Sequence, residues 1–212
     1  MSALLNIKGD STADWCGRVI IPGPRPPIAQ PMVVARKHNA SLLMSIGALT
    51  ESGSVMLGAV MLEEARRHSN DLVYLVLGIP AGRIGGLRLA GDSLREAGRH
   101  AAIIVYLQEC CFGPGLWLAH QCNGLVFSHP ATQIGYLQCI DAERGEFDPE
   151  ASLGMVMDMH ELNPEVSTTK WAKLADQSIS AELAEASGIL KEGSLKRDVF
   201  QLSGFDPNVR LA

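Results

Sequence analysis

The sequence is poor in long apolar runs. None of its 212 residues lies in one that reaches the ~18–20 needed to cross a bilayer, so no membrane span is expected. Positive charge is not in excess. Lys and Arg number 18 against 23 Asp and Glu, a net charge of −5, which argues against a basic surface built for nucleic acid. Cysteine is sparse and odd in number, five in all, with no CxxC pair. The His and Cys positions between His100 and Cys122 also miss zinc-ligand spacing, so neither a metal nor another cofactor is expected. The start, MSALLNIKGDSTADW, has neither a basic opening nor a long apolar core. No secretory leader is expected there, and the cysteines read as reduced thiols of a cytoplasmic protein. What remains is 47% hydrophobic and 19% charged, the balance of a globular chain long enough for one domain.

Three regions follow from composition. Residues 1–39 form a Pro-rich arm. Pro22, Pro24, Pro26, Pro27 and Pro31 forbid helix there and favour an extended or edge segment. Residues 40–192 carry the regular apolar pattern, and 193–212 read as an irregular tail. Ala40–Ile46 is the first expected strand. A helix from about Ser54 to His68 follows, with Val55, Ala59 and Leu62 inward and Glu63, Glu64, Arg66 and Arg67 outward.

The chain is organised around the stretch from Asp71 to Gln138. Two barely alternating apolar runs, Leu72–Leu77 and Ala101–Leu107, read as parallel strands buried on both faces. Between them Ile84, Leu87, Leu94 and Ala97 share one helical face, and Gly98 fits a C-cap. Both strands end in Gly/Pro-rich joints, GIPAGRIGG and CCFGPG, and open α/β sheets bind ligands at such ends. A short helix is expected over Pro114–Cys122, then strands at Leu125–Ser128 and Ile134–Gln138. Helical segments fill most of 153–190, with Asn163 and Ser180 as N-caps.

Three stretches carry a family likeness over roughly residues 40–190. IPAGRIGGLRLA resembles the SPGG-x-V-x-x-G-L turn of the Clp-protease/crotonase superfamily, serine-peptidase branch (ClpP and the signal peptide peptidase A family). Pro80, Gly82, Ile84, Gly86 and Leu87 match. ECCFGPGLWLA resembles the turn and helix that carry that branch's nucleophilic Ser. ADQSISAELAEASGIL is similar to the closing motif of ClpP, with Asp176, Ser180, Glu182, Glu185 and Gly188 in step. The likeness implies an α/β fold, a ClpP/crotonase-like spiral of βαβ units with C-terminal helices. It also implies an oxyanion-type turn, with N–H donors from Ala81, Gly82 and Gly113.

The side chains of the chemistry do not follow. The Ser position falls at Phe112 or Gly113, and the His position at Gly135 or Tyr136. The signal peptide peptidases use a Lys instead, but residues 139–152 offer only Arg144, which is not a base. The expectation is a degenerate or atypical serine-peptidase homologue that keeps a groove for an extended peptide. Three rivals stand beside it. One is a thiol hydrolase using Cys111, with His120 or His129 as base. Another is a crotonase-type acyl-CoA enzyme. The third is a structural subunit partnering an active paralogue. The apolar segment LGMVMDMHEL and the Pro-rich arm point to a homo-oligomer.

Overall fold

The structure, a computed structural model, describes residues 29–69, 71–79, 86–122, 125–137, 139–140, 147–175 and 177–205. Strand β1 (Met32–Lys37) turns back antiparallel onto β2 (Ala40–Ile46), so the last part of the Pro-rich region is a sheet edge. Helix α1 (Glu51–Arg67) begins three residues before the sequence suggests, because the Thr50 hydroxyl accepts the Gly53 N–H at 3.0 Å and caps it. Then come β3 (Leu72–Gly78), α2 (Leu87–His100) and β4 (Ala102–Leu107), the expected strand–helix–strand unit. A short β5 (Cys110–Phe112) leads into α3 (Gly113–Gln121), followed by β6 (Leu125–Ser128) and β7 (Gln133–Gly135). The main sheet runs in the order β1-β2-β3-β4-β6 and is parallel from β2 to β6.

That sheet is buried on both faces, which is why its central strands do not alternate. Leu43, Leu75, Leu77, Val105 and Leu107 face α1, α2 and α3. Leu42, Tyr74, Val76 and Tyr106 face the tail, where Val199 and Phe205 cover them. The Tyr106 hydroxyl donates to the Lys196 carbonyl at 2.8 Å and ties the tail down. After β7 come a two-stranded piece, β8 (Cys139–Ile140) and β9 (Phe147–Asp148), and the helices α4 (Pro149–Leu162) and α5 (Thr168–Lys173). Strand β10 (Ser178–Ser180), α6 (Ala181–Ala186) and α7 (Val199–Ser203) complete the chain.

Several sequence expectations are corrected. Helix α1 buries Gly53, Ser54, Leu57, Gly58, Met61, Glu64 and Ala65, and leaves Val55 42% exposed. The expected inward face was therefore rotated, because Glu64 belongs to the interior. Gly98 is not a cap: α2 runs on to His100, and Gly98 lets α3's end approach, since a Cβ there would lie 2.8 Å from the Cys122 carbonyl. The helix after Pro164 starts at Thr168, with Ser167 as N-cap in place of Asn163. Strand β7 stops at Gly135, short of the expected Gln138. Ser180 does cap α6, accepting the Leu183 N–H at 3.2 Å.

Candidate functional site

The site lies where the main sheet ends and a small second sheet begins. That sheet is ordered β10-β7-β5, with Cys111 opposite Ile134 and Phe112 opposite Gly135. The Phe112 N–H donates to the Ile79 carbonyl at 2.8 Å, which fastens the start of α3 to the end of β3. Ala81, Gly82 and the rest of the expected oxyanion turn lie outside the described residues. Gly113 opens α3 with φ +39°, and the N-cap, Phe112, has no side-chain cap bond. The first backbone N–H groups of α3 are thus left for another acceptor, as at any helix start.

Of the residues that the family likeness offers for nucleophile (Phe112 or Gly113) and base (Gly135 or Tyr136), the two with rings meet. Phe112 and Tyr136 pack edge to face, with centroids 5.1 Å apart at 89°. Phe112 is buried and Tyr136 half-buried. Gly135, at φ +140°, must be glycine, because a Cβ would run into the Gln177 carbonyl. Tyr136 follows in the left-handed region at φ +45°, a costly place for an aromatic residue. The pairing to β10 holds it there: its N–H donates to the Gln177 carbonyl at 3.0 Å.

Cys111 is fully buried in the main core, with its sulfur beside Gly115. Burial pushes its thiol well above the usual range. Cys110 is half-buried, and burial together with the nearby Glu109 carboxylate pushes it up to about 11. His120 sits on the last turn of α3, on the order of 10 Å along the axis from Gly113. Its ring packs edge to face with Trp171, at 5.8 Å. His129 lies in the β6–β7 turn, where Nδ1 accepts the Ala131 N–H at 3.2 Å. Asp176 lies outside the described residues. No group of three or more His, Cys, Asp or Glu among the described residues could hold a metal ion.

The structure also assembles a constellation that sequence reasoning missed. The Ser41 hydroxyl donates to Glu64 Oε2 at 2.5 Å, and Ser41 Oγ lies 2.8 Å from His68 Nε2. Arg36 from β1 clamps both Glu64 oxygens, at 3.1 and 2.7 Å. Burial alone would raise the Glu64 carboxyl, but the bonds from Arg36 and Ser41 outweigh it and hold the group below its usual range. The residue types resemble a triad, but the wiring does not. The Ser41 hydroxyl donates to the Glu64 carboxylate rather than to His68, and a serine with no exposure reaches no substrate. This is a clamp joining β1, β2 and the end of α1. A 3.6-residue count from Leu57 and Met61 to Glu64 and Ala65 is the signal that was available for it.

No family model matches the chain, and no curated protein matches it. Solved structures do. A mutant of the 1510-N membrane-bound stomatin-specific protease aligns with a TM-score of 0.62 at 16% identity, over 79% of this chain and 84% of that one. The enoyl-CoA hydratase of Thermoplasma volcanium aligns with a TM-score of 0.56 at 18% identity, over 81% and 73%. Methylmalonyl CoA decarboxylase aligns with a TM-score of 0.56 at 14% identity, over 76% and 66%. Two branches, peptidase and acyl-CoA enzyme, thus share this architecture. The parallel sheet, the second small sheet and the helices together give this chain a ClpP/crotonase-like fold.

Proposed function

We propose that the chain is a ClpP/signal-peptide-peptidase-like protein without serine-peptidase chemistry, which holds an extended peptide at its oxyanion-type turn. The observation that carries this reading is the Phe112–Tyr136 ring pair. A serine peptidase needs a nucleophile and a base within ~2.6–3.2 Å of each other. Phe112 or Gly113 and Gly135 or Tyr136, the residues offered for those positions, make no such pair, and the packed rings of Phe112 and Tyr136 adjoin the backbone start of α3. Ala81, Gly82 and Gly113 keep the role of N–H donors in this reading, since backbone groups do not depend on the lost side chains. Cys111 is a packing residue in this reading. The test is a fluorophosphonate probe together with casein-derived peptides. The protein should remain unlabelled and the peptides should bind uncut. Labelling of any serine, or turnover, overturns it.

A second reading is a crotonase-type acyl-thioester enzyme. What favours it is the set of acyl-CoA enzymes among the similar structures, together with the backbone-donor start of α3, which serves a thioester carbonyl as well as a peptide carbonyl. Hydration of crotonyl-CoA by the purified protein, with no peptide bound, would select it.

A further inference from the structure

At the far end of α3 from Gly113 lies a pocket of about 410 Å³. It exists because a strand ladder stops short. The tail pairs with the outer edge of β6 at one place only, where the Ser128 N–H donates to the Ser194 carbonyl at 3.0 Å and Lys196 N–H to the Ser128 carbonyl at 2.9 Å. One step earlier Gly193 takes φ +79°, and the Ser194 N–H turns back to the Lys191 carbonyl at 3.1 Å. The chain therefore swings away from β6 and leaves a gap beside Leu125 and Phe127.

The gap has an apolar half and a polar half. Leu125, Phe127, Leu162 and Ile189 form the first, and His120 and Lys191 the head of the second. His120, on this wall, has a buried Nε2 that finds no hydrogen-bond partner among the described residues. Buried polar atoms are nearly always paired, so such a wall invites a polar guest. Lys191 is exposed and forms no ion pair among the described residues. Its ammonium is the charge felt at His120. Burial and that charge hold the imidazole down to about 4, so the ring is neutral at pH 7. Glu192, also on the wall, disfavours a second negative charge on any guest.

We propose that this pocket binds a small amphipathic monocarboxylate, its apolar tail between β6 and Ile189 and its carboxylate at Lys191 and His120. The volume lies within the range of small-molecule sites, roughly 300–1,000 Å³. The site shares no residue with the oxyanion-type turn, so it stands or falls apart from the peptide reading.

The experiment follows the His120 ring resonances by NMR, assigned with His120→Gln, in the full chain. Adding 3-phenylpropionate at millimolar concentration should shift them saturably and move the His120 titration to higher pH, because a bound carboxylate favours the imidazolium. Phenethylamine, which carries the same tail and the opposite charge, should leave them in place. Lys191→Glu should weaken 3-phenylpropionate at least ten-fold while thermal melting stays within a few degrees, the position being exposed. Leu125→Asp should weaken it as well. Absence of a saturable shift, an equal response to the amine, or unchanged binding by folded Lys191→Glu would each overturn the proposal.

Discussion

The two ends of the central sheet are opposites. At the amino end of β2 sit Ser41, Glu64 and His68, side chains able to move protons, joined by short bonds, sealed from solvent and clamped by the half-exposed Arg36. At the carboxyl end of β3 sit Ile79, Phe112 and Tyr136, where the Phe112 N–H is tied to the Ile79 carbonyl and the Phe112 ring packs on Tyr136. One end has catalytic residue types without a site. The other, proposed above as the peptide site, has packed rings beside the backbone donors that open α3. The difference teaches that residue identity assigns no chemistry until topology supplies access. Strand ends followed by glycine-rich turns expose backbone N–H groups, whereas strand starts under a helix terminus bury what they hold.

The sharpest break of this comparison is at the clamp. Replacing Glu64 with Ala leaves Arg36, Ser41 and His68 facing an empty, buried position. Breaking a buried pair costs about 3–5 kcal/mol, and the partial exposure of Arg36, 38% at its side chain, pulls the expected loss to about 2–4. Chemical denaturation should report it, while peptide binding at the other end of the sheet is unchanged. The sign with pH follows from the lowered carboxyl. Its contribution is present above the ordinary Glu value and is lost as pH falls through the folded one, so the variant should flatten the acid limb of the stability profile. An unchanged acid limb would remove Glu64 from the account.

Next in size is Gly135→Ala at the open end. The left-handed φ and the Gln177 carbonyl both oppose a side chain, so a loss of about 2–3 kcal/mol is expected, with unpairing of β10 from β7. Hydrogen exchange at Tyr136 and Ile179 should speed up, whereas the Ser41 region stays protected. Uniform acceleration over both regions would mean that the two ends are not separate units.

A smaller, pH-dependent effect belongs to His120. Its folded pKa, about 4, lies below the ordinary value of about 6.5, so the unfolded chain binds more protons between them. Stability should fall as pH drops through that window, by up to roughly 3 kcal/mol at its lower end, less the share that partial solvent contact screens away. In His120→Gln this slope should vanish, leaving the Glu64 limb below it.

The strands were legible because burial on both faces writes itself as unbroken apolar runs. Ala40–Ile46 and Leu125–Ser128 stand as expected, residue for residue. The face of α1 was not legible from polarity alone, since Glu64 lies inside by virtue of an arginine 28 residues away. Asn163 and Ser167 are both good caps, and only packing decides between them. At the site, the positions offered for nucleophile and base were read one at a time from motif likeness and stand as proposed. That Phe112 and Tyr136 touch could not be read, because a 24-residue separation is closed only by β5 pairing with β7. The Ala81–Gly82 turn lies outside the described residues and stands as proposed.

The smallest expected effect is at Cys111, and it decides whether the open end is truly without a nucleophile. The thiolate is the reactive form, so reactivity follows exposure and pKa. Cys110, half-buried and near 11, is ionised to roughly one part in a thousand at pH 8. Cys111 is fully buried, and its thiol is pushed higher still by that burial, with the Ile79 backbone bond only partly offsetting it. Iodoacetamide on folded protein should therefore modify Cys110 slowly and Cys111 more slowly again, by at least ten-fold, as read by peptide mass mapping. In denaturant the two should become equal. Cys111→Ala should lose on the order of 1–2 kcal/mol through the cavity it leaves, with peptide binding intact. If Cys111 were instead the faster thiol in the folded state, and peptide turnover disappeared with Cys111→Ala, the open end would hold a working nucleophile. The contrast with the sealed clamp would then be one of access alone.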